Sequence, residues 1–196
     1  NNEEKEDQLS SYTLNNKGEV SRRNLIASLK SNGGYLAMFK VAVSSDGQKV
    51  GVLCEKPYMK ERNEGLVIKI LDKNLEPILT KDYNYTMASM KRRFNVPLIN
   101  NKGSLYILKR ARIKTKNKYF LTLIKESGVE EQHDVKLRSM RIADVTGAFN
   151  SDGELIVSGF YAGFNGFAFQ GAFTIKYNES SMPVYRKELM LPENLI

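Results

Sequence analysis

The sequence predicts an all-β protein of β-propeller-like repeats, with about three four-stranded blades and a partial blade at the N-terminus. One observation is a hairpin pattern in which two runs of strand-forming residues flank a polar turn that contains glycine. It occurs at 41–56, 96–111 and 146–161. A second observation is the spacing of 56 and 50 residues between the turn glycines Gly47, Gly103 and Gly153. This period is typical of a propeller blade.

Each repeat is expected to contain four strands, because β-branched and aromatic residues alternate with polar residues between turn signals. The first repeat has expected strands at 39–44, 49–55, 65–71 and 78–85. The second has them at 94–99, 104–113, 119–126 and 132–137. The third has them at 142–149, 154–161, 168–177 and 184–191. The blades are therefore expected at about 38–86, 93–138 and 141–191; a β-sandwich is the alternative architecture, although sandwiches show no such internal register.

The N-terminal part of the chain is expected to form a partial blade over residues 10–22. Its text SSYTLNNKGEV resembles the third strand, turn and fourth strand of a repeat. Because closed propellers typically have four to eight blades, the expected partners include the remaining blades of a longer parent chain or a second copy of this one. Weak helical signals predict short helices at 24–31 and 86–93.

Composition argues against several classes of protein. No stretch approaches the roughly 18–20 apolar residues of a membrane-spanning helix, and the acidic, polar beginning NNEEKEDQLS lacks the apolar core of a signal peptide. The chain has one cysteine, Cys54, which lies in an alternating apolar run and is expected to be a buried small hydrophobe.

The residues that metal and cofactor sites require are scarce. One histidine, one cysteine and no acidic residues at ligand spacing give no zinc signature. The chain also lacks the phosphate-binding G-x-x-x-x-G-K-[ST] loop and the G-x-S-x-G nucleophile motif. The sequence therefore predicts no metal, no cofactor and no catalytic residue.

The repeats carry a family resemblance that covers roughly residues 10–190. The S-x-D hairpins, the turns of the LDKNL type and the final G-x-L-x-x-x-G-F-Y pattern followed by G-x-F are similar to uncharacterised propeller-like repeat proteins of the Bacteroidetes cell envelope. In this chain the last pattern consists of Gly153, Leu155, Gly159, Phe160, Tyr161, Gly171 and Phe173. The resemblance implies a propeller fold, a larger parent protein and a periplasmic or cell-surface location. It implies no reaction, and the missing signal peptide departs from its pattern.

The positive charge of the chain is concentrated in its middle third. Eleven of the 30 cations lie between Asp82 and Glu126, where no acidic residue occurs, so the rest of the chain has 19 cations against 22 acids. The segment 109–120 is expected to be a protruding hairpin that is either a solvated, aggregation-resistant edge or an anion-binding face. Its candidate binding residues are Lys109, Arg110, Arg112, Lys114, Lys116 and Lys118.

Two further connections between second and third strands are expected on the same side of the blades. The connection 56–64 offers Tyr58 and Arg62, and the aromatic-rich stretch 159–173 offers Phe164 and Phe167. Aromatic residues among glycines either pack between blades or present a platform for a sugar or a peptide.

These features favour a non-enzymatic binding or scaffold module that presents blade loops to a protein or glycan partner. One alternative is part of a propeller enzyme acting on polysaccharide, with carboxylates drawn from Glu55, Glu61, Glu64 and Asp144. The other alternative is a basic module that binds polyanions.

Overall fold

The computed structural model describes residues 5–31, 36–57, 64–85, 94–113, 116–128, 130–137, 140–163 and 168–192. Within these ranges the protein is all-β, and no residue is helical. Fourteen strands form one two-stranded hairpin and three four-stranded antiparallel sheets. The prediction of an all-β, blade-like architecture is confirmed, and four separate sheets replace the two layers of a sandwich.

The N-terminal hairpin consists of β1 (Glu6–Leu14) and β2 (Val20–Lys30). Sheet 1 consists of β3 (Met38–Val43), β4 (Lys49–Glu55), β5 (Glu64–Asp72) and β6 (Pro77–Tyr85). Sheet 2 consists of β7 (Phe94–Ile99), β8 (Leu105–Ile113), β9 (Lys116–Ile124) and β10 (Glu130–Val135). Sheet 3 consists of β11 (Arg141–Phe149), β12 (Leu155–Ala162), β13 (Phe169–Tyr177) and β14 (Pro183–Met190).

Every four-stranded sheet is a simple meander, in which each strand pairs with the next one along the chain. The twelve strands expected for the three repeats are all present, with bounds that differ by at most three residues. The helix expected at 24–31 is wrong, because most of this segment belongs to β2 and pairs with β1. The helix expected at 86–93 lies outside the described residues.

Three apolar clusters hold successive sheets together. One lies between the N-terminal hairpin and sheet 1, and includes Ala27, Val52, Cys54 and Leu71. The next lies between sheets 1 and 2, and includes Leu53, Ile68, Leu105 and Ile107. The third lies between sheets 2 and 3, and includes Tyr106, Leu121, Val157 and Phe173. Each sheet therefore covers one face of its neighbour.

Sheet 2 is buried on both faces, and the sequences of its two central strands, β8 and β9, reflect this burial. Residues 105–109 of β8 and 119–124 of β9 are buried without interruption. A strand that is covered on both sides needs apolar residues at successive positions rather than in alternation. The texts LYIL and YFLTLI meet that need at every position except Thr122. Close packing also depends on glycine: a Cβ built on Gly51 would lie 2.5 Å from Leu105, and one on Gly147 would lie 2.7 Å from Leu98.

One turn is repeated at one end of all the sheets. In seven described turns, the amide of the fourth residue donates to the carbonyl of the first, and that fourth residue has a positive φ. In five of them, the side-chain oxygen of the first residue also accepts two backbone N–H groups, as Asn100 does from Lys102 and Ser104 at 3.1 and 2.9 Å. The fourth residues are Gly18, Gly47, Leu75, Gly103, Gly128, Gly153 and Ser181. We call this side of the sheets the turn end, and the opposite side the loop end.

The positive φ predicted for Gly47, Gly103 and Gly153 is confirmed, at 68°, 77° and 76°. Glycine adopts this conformation without steric cost. Ser181 adopts it at 58° without that advantage, and its fully buried Oγ makes no hydrogen bond.

We expect Ser181→Gly to stabilise the protein by about 1 kcal/mol, because it relieves the backbone strain and removes a buried hydroxyl that lacks a partner. The measurement is the midpoint of urea unfolding followed by circular dichroism. Ser180→Gly, at an exposed position of the same turn, is the control and should give no gain. Equal gains in both variants, or a loss in Ser181→Gly, would contradict this interpretation.

Candidate functional site

A cleft at the loop end lies between sheets 2 and 3 and has a volume of about 660 Å³. Its walls come from the start of β9, the end of β10, the connection that follows β10, and the start of β11. The described residues that line it are Asn117, Lys118, Tyr119, Asp134, Val135, Lys136, Leu137, Met140, Arg141, Ile142 and Ala143. The volume and mixed lining are in the range of small-ligand sites in proteins.

The floor of the cleft is apolar and continuous with the core. Tyr119, Val135, Leu137 and Ile142 belong to the cluster that joins sheets 2 and 3. The Tyr119 hydroxyl donates to the carbonyl oxygen of Ala143 at 3.3 Å, across the gap between the two sheets. This hydrogen bond ties the start of β11 to β9, so the floor is built from both sheets.

Arg110 lies beside Tyr119, one of the residues of the floor. It lies directly opposite Tyr119 in the pairing of β8 with β9, and its half-buried guanidinium lies beside the tyrosine hydroxyl. Burial raises the pKa of Tyr119, and the neighbouring Arg110 opposes that increase. The tyrosine is therefore a neutral hydrogen-bond donor at neutral pH.

The rim of the cleft is positively charged. Lys118, Lys136 and Arg141 are three cations against one carboxylate, Asp134, which forms an ion pair with Lys136. Lys118 is exposed on β9 and has no acidic partner among the described residues. An apolar floor beneath a cationic rim is suited to an anionic ligand that also has apolar surface.

The cations of the predicted basic segment 109–120 differ in how much they are exposed to solvent. The prediction of a hairpin is confirmed, since β8 and β9 pair as far as Ile113 and Lys116. However, Lys109 lies inside β8 with only 4% of its surface exposed, on the same face as Leu105 and Ile107, which pack against sheet 1. The expectation that Lys109 lies on the solvated surface is wrong, because sheet 1 covers that face of β8.

The other predicted site residues are described only in part. Arg112 and Lys116 lie in β8 and β9, but their side chains are outside what the structure describes. The positions of Lys114, Tyr58, Arg62, Phe164 and Phe167 lie outside the described residues. Of the predicted cations, Lys118 lines the cleft and Arg110 lies beside Tyr119 of its floor.

Sequence reasoning missed the contribution of the connection between repeats two and three. Lys136 and Arg141 flank this connection, whose text KLRSMR contains three cations and no acid. This run of cations could have been used to predict that the connection is part of a positively charged surface. The hydrogen bond of Tyr119 to Ala143 at the start of β11 was not predictable, because it depends on how two sheets pack.

Two exposed aromatic rings lie on the other face of sheet 3. Phe160 of β12 and Phe169 of β13 are 46% and 48% exposed, and their ring centroids are 5.5 Å apart at an angle of 49°. They flank the connection between these strands at the loop end. The predicted aromatic platform was centred on Phe164 and Phe167 of that connection, so this pair is a neighbouring feature of the same stretch.

Groups that could support catalysis are not assembled in the described parts of the chain. Glu55 is fully buried and bonds Lys40 at 2.9 Å, while Asp144 lies in sheet 3. Cys54 is buried, and burial raises its pKa to about 11, so little of the reactive thiolate form is present at neutral pH.

Among the residues that the structure describes, no cluster of three or more His, Cys, Asp or Glu could hold a metal ion. The same residues contain no helix able to cross a membrane.

Comparisons with known proteins assign no activity. No family model matches the chain, and no curated protein does. A crystal structure of a protein of unknown function from Bacteroides caccae is similar, with 15% sequence identity and a TM-score of 0.47. The similarity covers 91% of this chain and 53% of that protein. The chain therefore spans about half the length of this uncharacterised Bacteroides protein.

Proposed function

We propose that this protein is a non-enzymatic binding module whose loop end takes up an acidic glycan in the cleft between sheets 2 and 3. The observation that supports this proposal is the cationic rim over an apolar floor. Carboxylate or sulfate groups of a glycan would face Lys118, Lys136 and Arg141, while the less polar faces of its sugar rings would lie on the floor beside Leu137 and Met140.

The alternative of a polysaccharide-cleaving enzyme has less support. Glycosidases require two carboxyl groups on either side of the bond that is cleaved. Glu55 is enclosed between strands and held by Lys40, and the only carboxylate that lines the described cleft is Asp134, which is bonded to Lys136. A single, paired carboxylate matches a binding site better than a hydrolytic one.

We expect the double variant Lys118→Glu/Lys136→Glu to bind a heparin-derived octasaccharide at least about tenfold more weakly at low salt. The slope of log K against log salt concentration should also decrease in magnitude by about 1–2, because fewer cations contact the ligand. The measurement is isothermal titration calorimetry at several salt concentrations. The matched control is Lys17→Glu/Lys73→Glu, which makes the same change in net charge at exposed turn-end positions. Equal weakening in both pairs, or affinity that is insensitive to salt, would contradict a cleft site.

A second candidate function is suggested by the exposed pair Phe160 and Phe169, whose rings could stack on a neutral sugar. This role would leave the cationic cleft unused. It is favoured by the large exposed fraction of both rings, since soluble proteins expose neighbouring aromatic rings sparingly.

If the aromatic pair binds sugars, Phe160→Ser should abolish binding to neutral oligosaccharides on a glycan array without lowering the unfolding midpoint. Tyr185→Ser is the control, because Tyr185 is 51% exposed on the same sheet but near its turn end. Unchanged binding by Phe160→Ser would exclude this candidate and leave the cleft proposal intact.

A further inference from the structure

Strand β11 contains a β-bulge where it borders the cleft. Asp144 of β11 pairs with Phe160 of β12. The next residue of β12, Tyr161, pairs with Ile142, so Ala143 is an extra residue without a counterpart in β12. The first strands of the other two sheets pair with their second strands without such a shift over their described residues. The bulge is therefore a local feature of the strand that borders the cleft and not a part of the repeat.

The bulge determines which side chains at the start of β11 face the cleft. Val145 and Phe149 pack in the cluster between sheets 2 and 3. Beyond the bulge, Ile142 and Met140 pack in the same cluster, although alternation from Val145 would not place them there. In a strand without the bulge, this alternation would turn Arg141 toward the cluster and Ile142 away from it. The extra residue thus keeps a cation out of the floor of the cleft.

Two hydrogen bonds hold the bulge, and one glycine makes room for it. The carbonyl oxygen of Ala143 accepts a hydrogen bond from the Tyr119 hydroxyl at 3.3 Å. The Oδ1 atom of Asp144 accepts from the Val145 amide at 2.9 Å. The Asp144 carbonyl lies so close to β12 that a Cβ built on Gly159 would be 2.0 Å from its oxygen. Any larger residue at position 159 would therefore force this backbone to move.

We propose that Tyr119 and Gly159 are positioning residues of the cleft, because together they maintain the bulge in β11. With the bulge in place, Ile142 and Met140 lie on the floor and Arg141 lies at the rim. This inference rests on the proposed function, since the cleft is the site assigned to the acidic glycan. Neither positioning residue carries a charge, so both act on the shape of the site rather than on its attraction for anions.

Gly159→Ala tests whether the bulge forms the floor. The added methyl group would collide with the Asp144 carbonyl, so β11 would have to give up the bulge and turn Ile142 away from the core. We expect the thermal unfolding midpoint to fall by at least about 5 °C and the heparin-derived octasaccharide to bind at least about tenfold more weakly. The measurements are calorimetric unfolding and isothermal titration calorimetry.

Deletion of Ala143 should rescue the Gly159→Ala variant. A β11 that is shorter by the extra residue keeps Ile142 on the core face without a bulge, so the added methyl group no longer meets the displaced carbonyl. We expect the combined variant to regain at least about half of the lost midpoint and to bind the octasaccharide within about threefold of the wild type.

Gly171→Ala is the matched control for this rescue. A Cβ built on Gly171 would lie 2.2 Å from the Leu189 carbonyl oxygen of β14, on the far side of β13 from the bulge. This substitution should also lower the midpoint, but deletion of Ala143 should not restore it, because the bulge takes no part in that collision.

Tyr119→Phe tests the hydroxyl that holds the bulge. It removes one hydrogen bond and no charge, so we expect binding of the octasaccharide to weaken by about three- to fivefold. The slope of log K against log salt concentration should stay unchanged, because no cation is lost from the rim. Lys118→Glu/Lys136→Glu, in contrast, should reduce the magnitude of that slope.

Three outcomes would overturn the proposal. They are a wild-type midpoint in Gly159→Ala, a combined variant that is no more stable than Gly159→Ala, and wild-type octasaccharide binding by Tyr119→Phe. A wild-type protein that does not bind the octasaccharide would instead contradict the proposed function. The midpoints would then still decide the role of the bulge, since rescue by deletion of Ala143 supports it and a lack of rescue overturns it.

Discussion

Every four-stranded sheet of this protein has two faces, and a sheet this small is stable only when apolar residues on its faces are kept from water. Sheet 2 meets this requirement fully, since sheet 1 covers one face and sheet 3 the other. Burying one leucine side chain is worth about 2 kcal/mol, so the clusters between sheets outweigh the surface ion pairs. The close approach at Gly51 and Gly147 follows from the same requirement, because larger side chains there would hold the sheets apart.

Because the same turn is repeated at the turn end, the turn end is regular in structure and the loop end is variable. At the turn end, backbone groups are satisfied within each five-residue turn, and neighbouring turns are linked, as by the hydrogen bond of Ser45 with Asn101 at 2.9 Å. Connections at the loop end differ in length, so this end is free to vary in shape and charge. The cationic cleft forms there because the link between sheets 2 and 3 brings Lys136 and Arg141 beside the end of the β8–β9 hairpin.

The sequence predicted the strands well because both signals are local. Glycine at the fourth position of the turns and alternation in the flanking strands are visible without any tertiary information. Leu75 and Ser181 show the limit of that reasoning, since both adopt the positive φ of the same turn without being glycine. The segment 24–31 was misread because its apolar spacing fits a helix, whereas pairing with β1 decides its conformation.

The candidate site was less predictable, because burial depends on neighbours that are distant in the sequence. Lys109 and Lys118 belong to one basic run, but sheet 1 covers the first while the second lies at the rim of the cleft.

The central claim is that coverage of both faces by neighbouring sheets stabilises each strand. Native-state amide hydrogen exchange tests it most directly, because amides that open only on global unfolding exchange slowest. We expect the amides of β8 and β9 to exchange at least about 100-fold more slowly than those of β14, whose side chains are largely exposed. Equal protection of β14 and β8 would show that pairing within each sheet, rather than stacking between sheets, stabilises the fold.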